Sequence, residues 1–288
     1  MPKIFTASLF GFLRHGLLYL VAGIVFIPNT RTYGQSLLDT LEEDNKRKEE
    51  TPNIPYSAYE LMEIVSKNLE YPFGLTKIQF TITNKAGNVI SYKVSLYHKE
   101  RNSLITFDSV SKGRLIKILI NDNGQNVYMY DQLTKMLYHK RSMDKFENIL
   151  FSGFSFHDIA NLPFLNNYTP RIAGYDQIGG KRLLKVENIP LDRGLYSRLD
   201  VFVDPERNYR VARIDYYDKN GTLWKNMNVI YKDLPVRTKD AIILNKDFAA
   251  QLEMADLSAG TITYFEMLLN DKNIRIDNSL FDRQNIEK

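Results

Sequence analysis

The chain has 288 residues, 44% of them apolar, with no cysteine and a formal net charge of +4. Lack of cysteine excludes disulfides and thiolate metal sites, so packing alone must hold any core. Three of the 38 bases and none of the 34 acids fall in residues 1–34. The rest is balanced to within one charge, which gives no footing for a nucleic-acid partner.

In chain order, the N-terminus comes first. Lys3 and Arg14 precede an uninterrupted apolar run of 12 residues, Gly16 to Ile27, which Pro28 ends. Thr32-Tyr33-Gly34 offers small residues at the −3 and −1 positions of a cut before Gln35. That order predicts a secretory signal over residues 1–34 and an exported, periplasmic protein. Twelve helical residues rise about 18 Å, well short of a roughly 30 Å hydrocarbon core. No cysteine follows the run, so N-terminal lipidation is excluded. Residues 35–55 are charged and poor in apolar side chains, which predicts a flexible, partly helical lead before a domain at 56–288.

The clearest helix follows. Ser57 and Glu60 make a capping-box pattern, and Leu61, Ile64, Val65 and Leu69 recur at helical spacing until Pro72 and Gly74 stop them. From Thr76 the period falls to two. Ile78, Phe80 and Ile82 share one face against Lys77, Gln79, Thr81 and Thr83, and Lys85-Ala86-Gly87-Asn88 predicts a hairpin turn. A second strand carries Ile90, Tyr92, Val94 and Leu96 on one face. Strands are expected at 104–110, 115–120, 127–131 and 136–140, with turns at Lys112-Gly113 and Asn121 to Gly124.

Residues 141–167 break the rhythm. Ile149, Leu150, Phe151, Phe154, Phe156, Ile159, Leu162, Phe164 and Leu165 crowd together, punctuated by Gly153 and Pro163, with a short helix expected at 158–162. Strands resume at 168–173, 183–189, 197–203, 210–218, 222–231, 242–251 and 261–269, and the tail reads as polar. Short strands in regular succession predict a meander in a sandwich or barrel.

Catalytic patterns fare poorly. His15, His98, His139 and His157 never stand at ligand-pair spacing. Gly153-Phe154-Ser155-Phe156-His157 lacks the second glycine of a nucleophile elbow, and neighbouring His157 and Asp158 point apart on any regular element. No phosphate-cradling loop appears, so no enzyme activity and no cofactor are expected. Asn167-Tyr168-Thr169 and Asn220-Gly221-Thr222 match the glycosylation triplet, a signal of three residues only. The 18 tyrosines, among them Tyr128, Tyr130, Tyr216, Tyr217 and Tyr231 on strands, suit cross-strand pairing. The alternative is that some of them line an amphipathic cavity.

A run of segments carries a resemblance: Phe80 to Asn88, Ser111-Lys112-Gly113-Arg114, Val127 to Asp131, Phe151 to Ile159, Tyr196 to Leu199, Val203-Asp204, Tyr216 to Gly221, and Lys225. In order and spacing they resemble the LolA-like outer-membrane lipoprotein-sorting proteins, whose "GSDFSYEDL" segment is matched by Phe151 to Ile159. Gly153 and the His157-Asp158 pair depart from that pattern. The resemblance implies a mainly β (α+β) fold, an incomplete antiparallel barrel of about eleven strands with helices over an apolar concave face. It implies a carrier of lipid or of lipoprotein acyl chains bound for the outer membrane. The alternative is an adaptor module of an RND/MMPL-type exporter, without lipid cargo of its own. The expected apolar lid or cavity residues are Phe151, Phe154, Phe156, Ile159, Phe164, Leu165, Phe80 and Ile82. The competing expectation is that they fill the barrel as ordinary core.

Overall fold

The computed structural model describes residues 54–108, 115–161, 167–191 and 194–287. The signal (1–34), most of the lead and the Lys112-Gly113 turn lie outside these, as do Phe164 and Leu165.

Helix α1 (Ala58–Leu69) begins on the expected box: Glu60 N donates to Ser57 Oγ at 3.3 Å and Ser57 N to Glu60 Oε2 at 2.6 Å. Two otherwise orphaned backbone donors are thereby satisfied. Its buried stripe, Leu61, Met62, Val65 and Leu69, turns into the concave side of a single sheet, across the strands Tyr168–Ile178, Arg210–Asp218 and Ile242–Asp256. Burying Leu61 and Val65 completely contributes roughly 1.5–3 kcal/mol each.

The sheet has thirteen strands: β1 (Gly74–Thr83), β2 (Val89–Lys99), β3 (Asn102–Asp108), β4 (Leu115–Asn121), β5 (Asn126–Asp131), β6 (Met136–Lys140), β7 (Tyr168–Ile178), β8 (Lys181–Pro190), β9 (Tyr196–Asp204), β10 (Arg210–Asp218), β11 (Leu223–Arg237), β12 (Ile242–Asp256) and β13 (Thr261–Asp271). Each period-2 segment of the sequence became a strand. The resemblance implied about eleven; the count that alternation gives is the one observed.

Order along the sheet is β6-β5-β4-β3-β2-β1-β13-β12-β11-β10-β9-β8-β7. Two antiparallel meanders, β1–β6 and β7–β13, are thus welded where β1 lies beside β13, with Phe80 opposite Phe265 and Ile82 opposite Thr263. Among the described residues the sheet does not close: β6 and β7 are its free edges, and the chain between them must cross the gap. At its far end β11 also meets β13 in parallel, Val236 opposite Asn270.

Both faces are covered in places. The inner face carries the main core, including Ile78, Phe80, Ile82, Leu96, Ile105, Ile118, Val201, Ile214, Met227 and Phe265. The tail, expected to be polar, instead folds onto the outer face of β3–β5. There Ile276, Phe281 and Ile286 bury Leu104, Leu119 and Tyr130. Strand β4 (LIKILIN) therefore meets apolar partners on both sides at Ile118 and Leu119, which explains its near-continuous apolar run.

Candidate functional site

The gap-crossing segment is a short insert on the concave side. It comprises a 3-10 turn (Ser142–Phe146), a second (Ile149–Phe151) and helix α2 (Phe156–Ala160). Ser155 caps α2: Asp158 N donates to Ser155 Oγ at 3.1 Å, and Ser155 N donates to Asp158 Oδ2 at 2.8 Å. Between these elements the chain folds back tightly, Ile149 N donating to Phe154 O at 2.8 Å.

Of the expected lid residues, Phe154, Phe156, Ile159, Phe80 and Ile82 are all buried in the one core cluster. Phe154 lies 6.2 Å from Phe80 and 6.3 Å from Phe265, ring centre to ring centre, so the insert packs directly on the β1–β13 weld. Phe151 does not join them. Leu150 and Phe151 both adopt left-handed backbone (φ 51° and 64°), and this reversal leaves Phe151 88% exposed. Gly153 is pressed against β12: a Cβ there would lie 2.9 Å from Met254 Cγ and 3.1 Å from its carbonyl oxygen. Its amide donates to Thr263 Oγ1 at 2.8 Å.

A buried polar network fixes the insert to the sheet. Lys225 and Asp158, both essentially inaccessible, pair at 3.3 Å. Asp158 Oδ1 also accepts from Tyr196 OH at 2.8 Å, and Lys225 donates to Asn148 Oδ1 at 3.1 Å. Asn148 in turn donates to Asp256 Oδ2 at 3.2 Å. Burial pushes the Asp158 carboxyl up, but Lys225, His157, the Ser155 amide and Tyr196 outweigh it and hold the pKa below the usual carboxylate value. Tyr196 is pushed well above its ordinary value by burial and by that same carboxylate. Period-2 alternation puts Lys225 on the face of Met227 and Val229, an inward-pointing lysine that was legible in sequence and carried no expectation there.

Beside α2 lies a cleft of about 1100 Å³, walled by the end of α1, the turns of β2–β5, the insert and the starts of β7 and β9. The His157 ring stacks on Phe146 at 4.5 Å and its Nε2 stands 3.2 Å from Tyr168 OH. Tyr71 OH donates to the Ile159 carbonyl at 3.1 Å. Gly124 approaches Ala160 so closely that a Cβ would stand 2.6 Å from its carbonyl oxygen. None of these cleft residues except Ile159 was expected as a site residue. Their signal is tertiary. Among the described residues no cluster of three or more His, Asp or Glu could hold a metal ion, and no helix is long and apolar enough to cross a membrane.

A half-open antiparallel sheet folded around helices and an insert is the LolA-like fold, and solved structures bear this out. A DUF1329 family protein from Desulfovibrio piger superposes with a TM-score of 0.64 at 19% identity, over 80% of this chain and 97% of that one. A LolA superfamily protein from Nitrosomonas europaea gives 0.61 at 18%, over 80% and 99%. A putative outer membrane lipoprotein-sorting domain from Vibrio parahaemolyticus gives 0.60 at 16%, over 80% and 98%. No curated protein matches the sequence. Residues 99–288 match the model of a protein family described as "-like: Uncharacterized protein", and the chain belongs to that family.

Proposed function

We propose that this protein is a non-enzymatic carrier in the cell envelope that shields lipid or lipoprotein acyl chains on their way to the outer membrane. The observation that carries the reading is the site's construction: an apolar concave face, open between β6 and β7, covered by a short insert beside a cleft of about 1100 Å³. A 16-carbon chain costs roughly 12 kcal/mol to leave in water, so a shuttle must cover its cargo and later let it go. A cover made of one small helix and two turns, held by the apolar contacts of Phe154, Phe156 and Ile159 and by a few polar ones, can be displaced at less cost than a sheet can be opened. Phe154, Phe156 and Ile159 are the cover's apolar side, and Phe80 and Ile82 the wall it rests on.

Native mass spectrometry of protein released gently from the envelope should find co-purified lipid. Phe154→Ala with Phe156→Ala should weaken lipid binding by more than the accompanying loss of stability explains. Unchanged binding per folded molecule would remove the lid from the mechanism.

A second reading, an adaptor that docks on an envelope exporter and binds no lipid, draws on the tight packing of Phe80, Phe154 and Phe265, each at most 2% exposed. It predicts an exporter recovered by crosslinking and no lipid in any mild preparation.

A further inference from the structure

We propose that the cleft beside the insert is a headgroup site, selecting amphiphiles whose headgroup bears no net charge but forms hydrogen bonds, as a zwitterionic phospholipid does. This rests on the carrier reading and specifies its cargo.

The first argument is size. Sites for small ligands enclose about 300–1,000 Å³, so a cleft of about 1100 Å³ suits a larger amphiphile. The second is charge. Around the cleft stand Lys67, Arg101 and Lys145 against Glu70, Glu100 and Asp122. Lys145 also spends donors on the carbonyls of Gly124 (2.9 Å) and Gln125 (2.8 Å). An anionic headgroup would meet as many carboxylates as cations and gain little net attraction. A zwitterion finds both signs.

The third argument is the aromatic wall. Phe146 and Tyr196, 5.4 Å apart in an edge-to-face pair at the same wall, offer apolar area where the headgroup gives way to the acyl chain.

The test incubates the full chain with vesicles of phosphatidylcholine or of phosphatidylglycerol and counts transferred lipid per protein by native mass spectrometry. Phosphatidylcholine should transfer in preference. Glu70→Gln with Asp122→Asn, both at exposed positions, leaves the cleft with excess positive charge; phosphatidylglycerol uptake should then rise roughly threefold at low salt. Preference for phosphatidylglycerol, equal uptake of both lipids, or a double variant that changes neither would overturn the headgroup assignment and leave the carrier standing. Transfer of neither lipid, with no lipid co-purified, would bring down the carrier reading itself.

Discussion

Lys225→Met is the sharpest perturbation of the buried network. The ammonium is fully buried and faces Asp158, itself 2% exposed. Methionine matches the length of the stem but leaves the carboxylate with only Tyr196 OH and the Ser155 amide as donors. Removing one member of a buried pair typically costs about 3–5 kcal/mol, because the other charge stays uncompensated. In a domain of this size each kcal/mol shifts Tm by about 2–4 °C, so a fall of about 6–20 °C is expected. Asp158→Leu combined with Lys225→Met removes both charges and should recover most of that loss, since apolar replacement of a buried pair is often neutral. The assay is a double-mutant cycle by urea unfolding, with the m-value checked for constancy. Strict additivity of the two single changes, or a Lys225→Met cost below about 1 kcal/mol, would refute the pair as the clamp of the insert.

Three further outcomes follow from the same geometry. Burial lowers the His157 pKa; Asp158 pulls it up, while Lys145 and Lys225 push it further down, and the net is a depressed value. A group depressed in the folded state stabilises fully above its unfolded pKa near 6.5, and that contribution is lost as pH falls toward the folded value. Tm should therefore drop as pH is lowered from neutrality through the mildly acidic range. His157→Gln should lessen that slope without abolishing it, because burial depresses His98 with the same sign; an unchanged slope would contradict the assignment. Gly153→Ala forces a methyl to 2.9 Å from Met254 Cγ and 3.1 Å from a carbonyl oxygen that cannot move cheaply, and should cost about 1–3 kcal/mol by calorimetry. Phe281→Ala strips the tail's anchor from Leu104, Leu119 and Tyr130 and should lower the urea midpoint by the equivalent of about 3 kcal/mol.

The sequence by itself determined the elements. Alternation is a property of adjacent residues, so Ile78-Phe80-Ile82 or Tyr92-Val94-Leu96 declares a strand and its buried face without reference to anything distant. The capping box at Ser57–Glu60 and the turn at Lys85–Asn88 are local for the same reason. Their order and the matched segments also pointed to the LolA-like fold, which the solved structures bear out.

Three things only the tertiary structure decided. That β1 pairs with β13, nearly 200 residues away, depends on which edges remain free once each meander has formed. That the tail is a cover depends on Ile276, Phe281 and Ile286, too sparse in a polar stretch to read as periodic, finding an apolar outer face on β3–β5. And the described part of the crowded insert, 141–161, where apolar density was plain but period was absent, took its place from partners scattered along the chain. Phe154 settled on Phe80 and Phe265, while Phe151, three residues earlier, was turned out to solvent by left-handed backbone. Burial of a charge such as Lys225 is tolerable only where Asp158, 67 residues off, arrives to meet it. Such pairing is a fact of three dimensions, since the free energy that makes it possible is supplied by groups that no local pattern brings together.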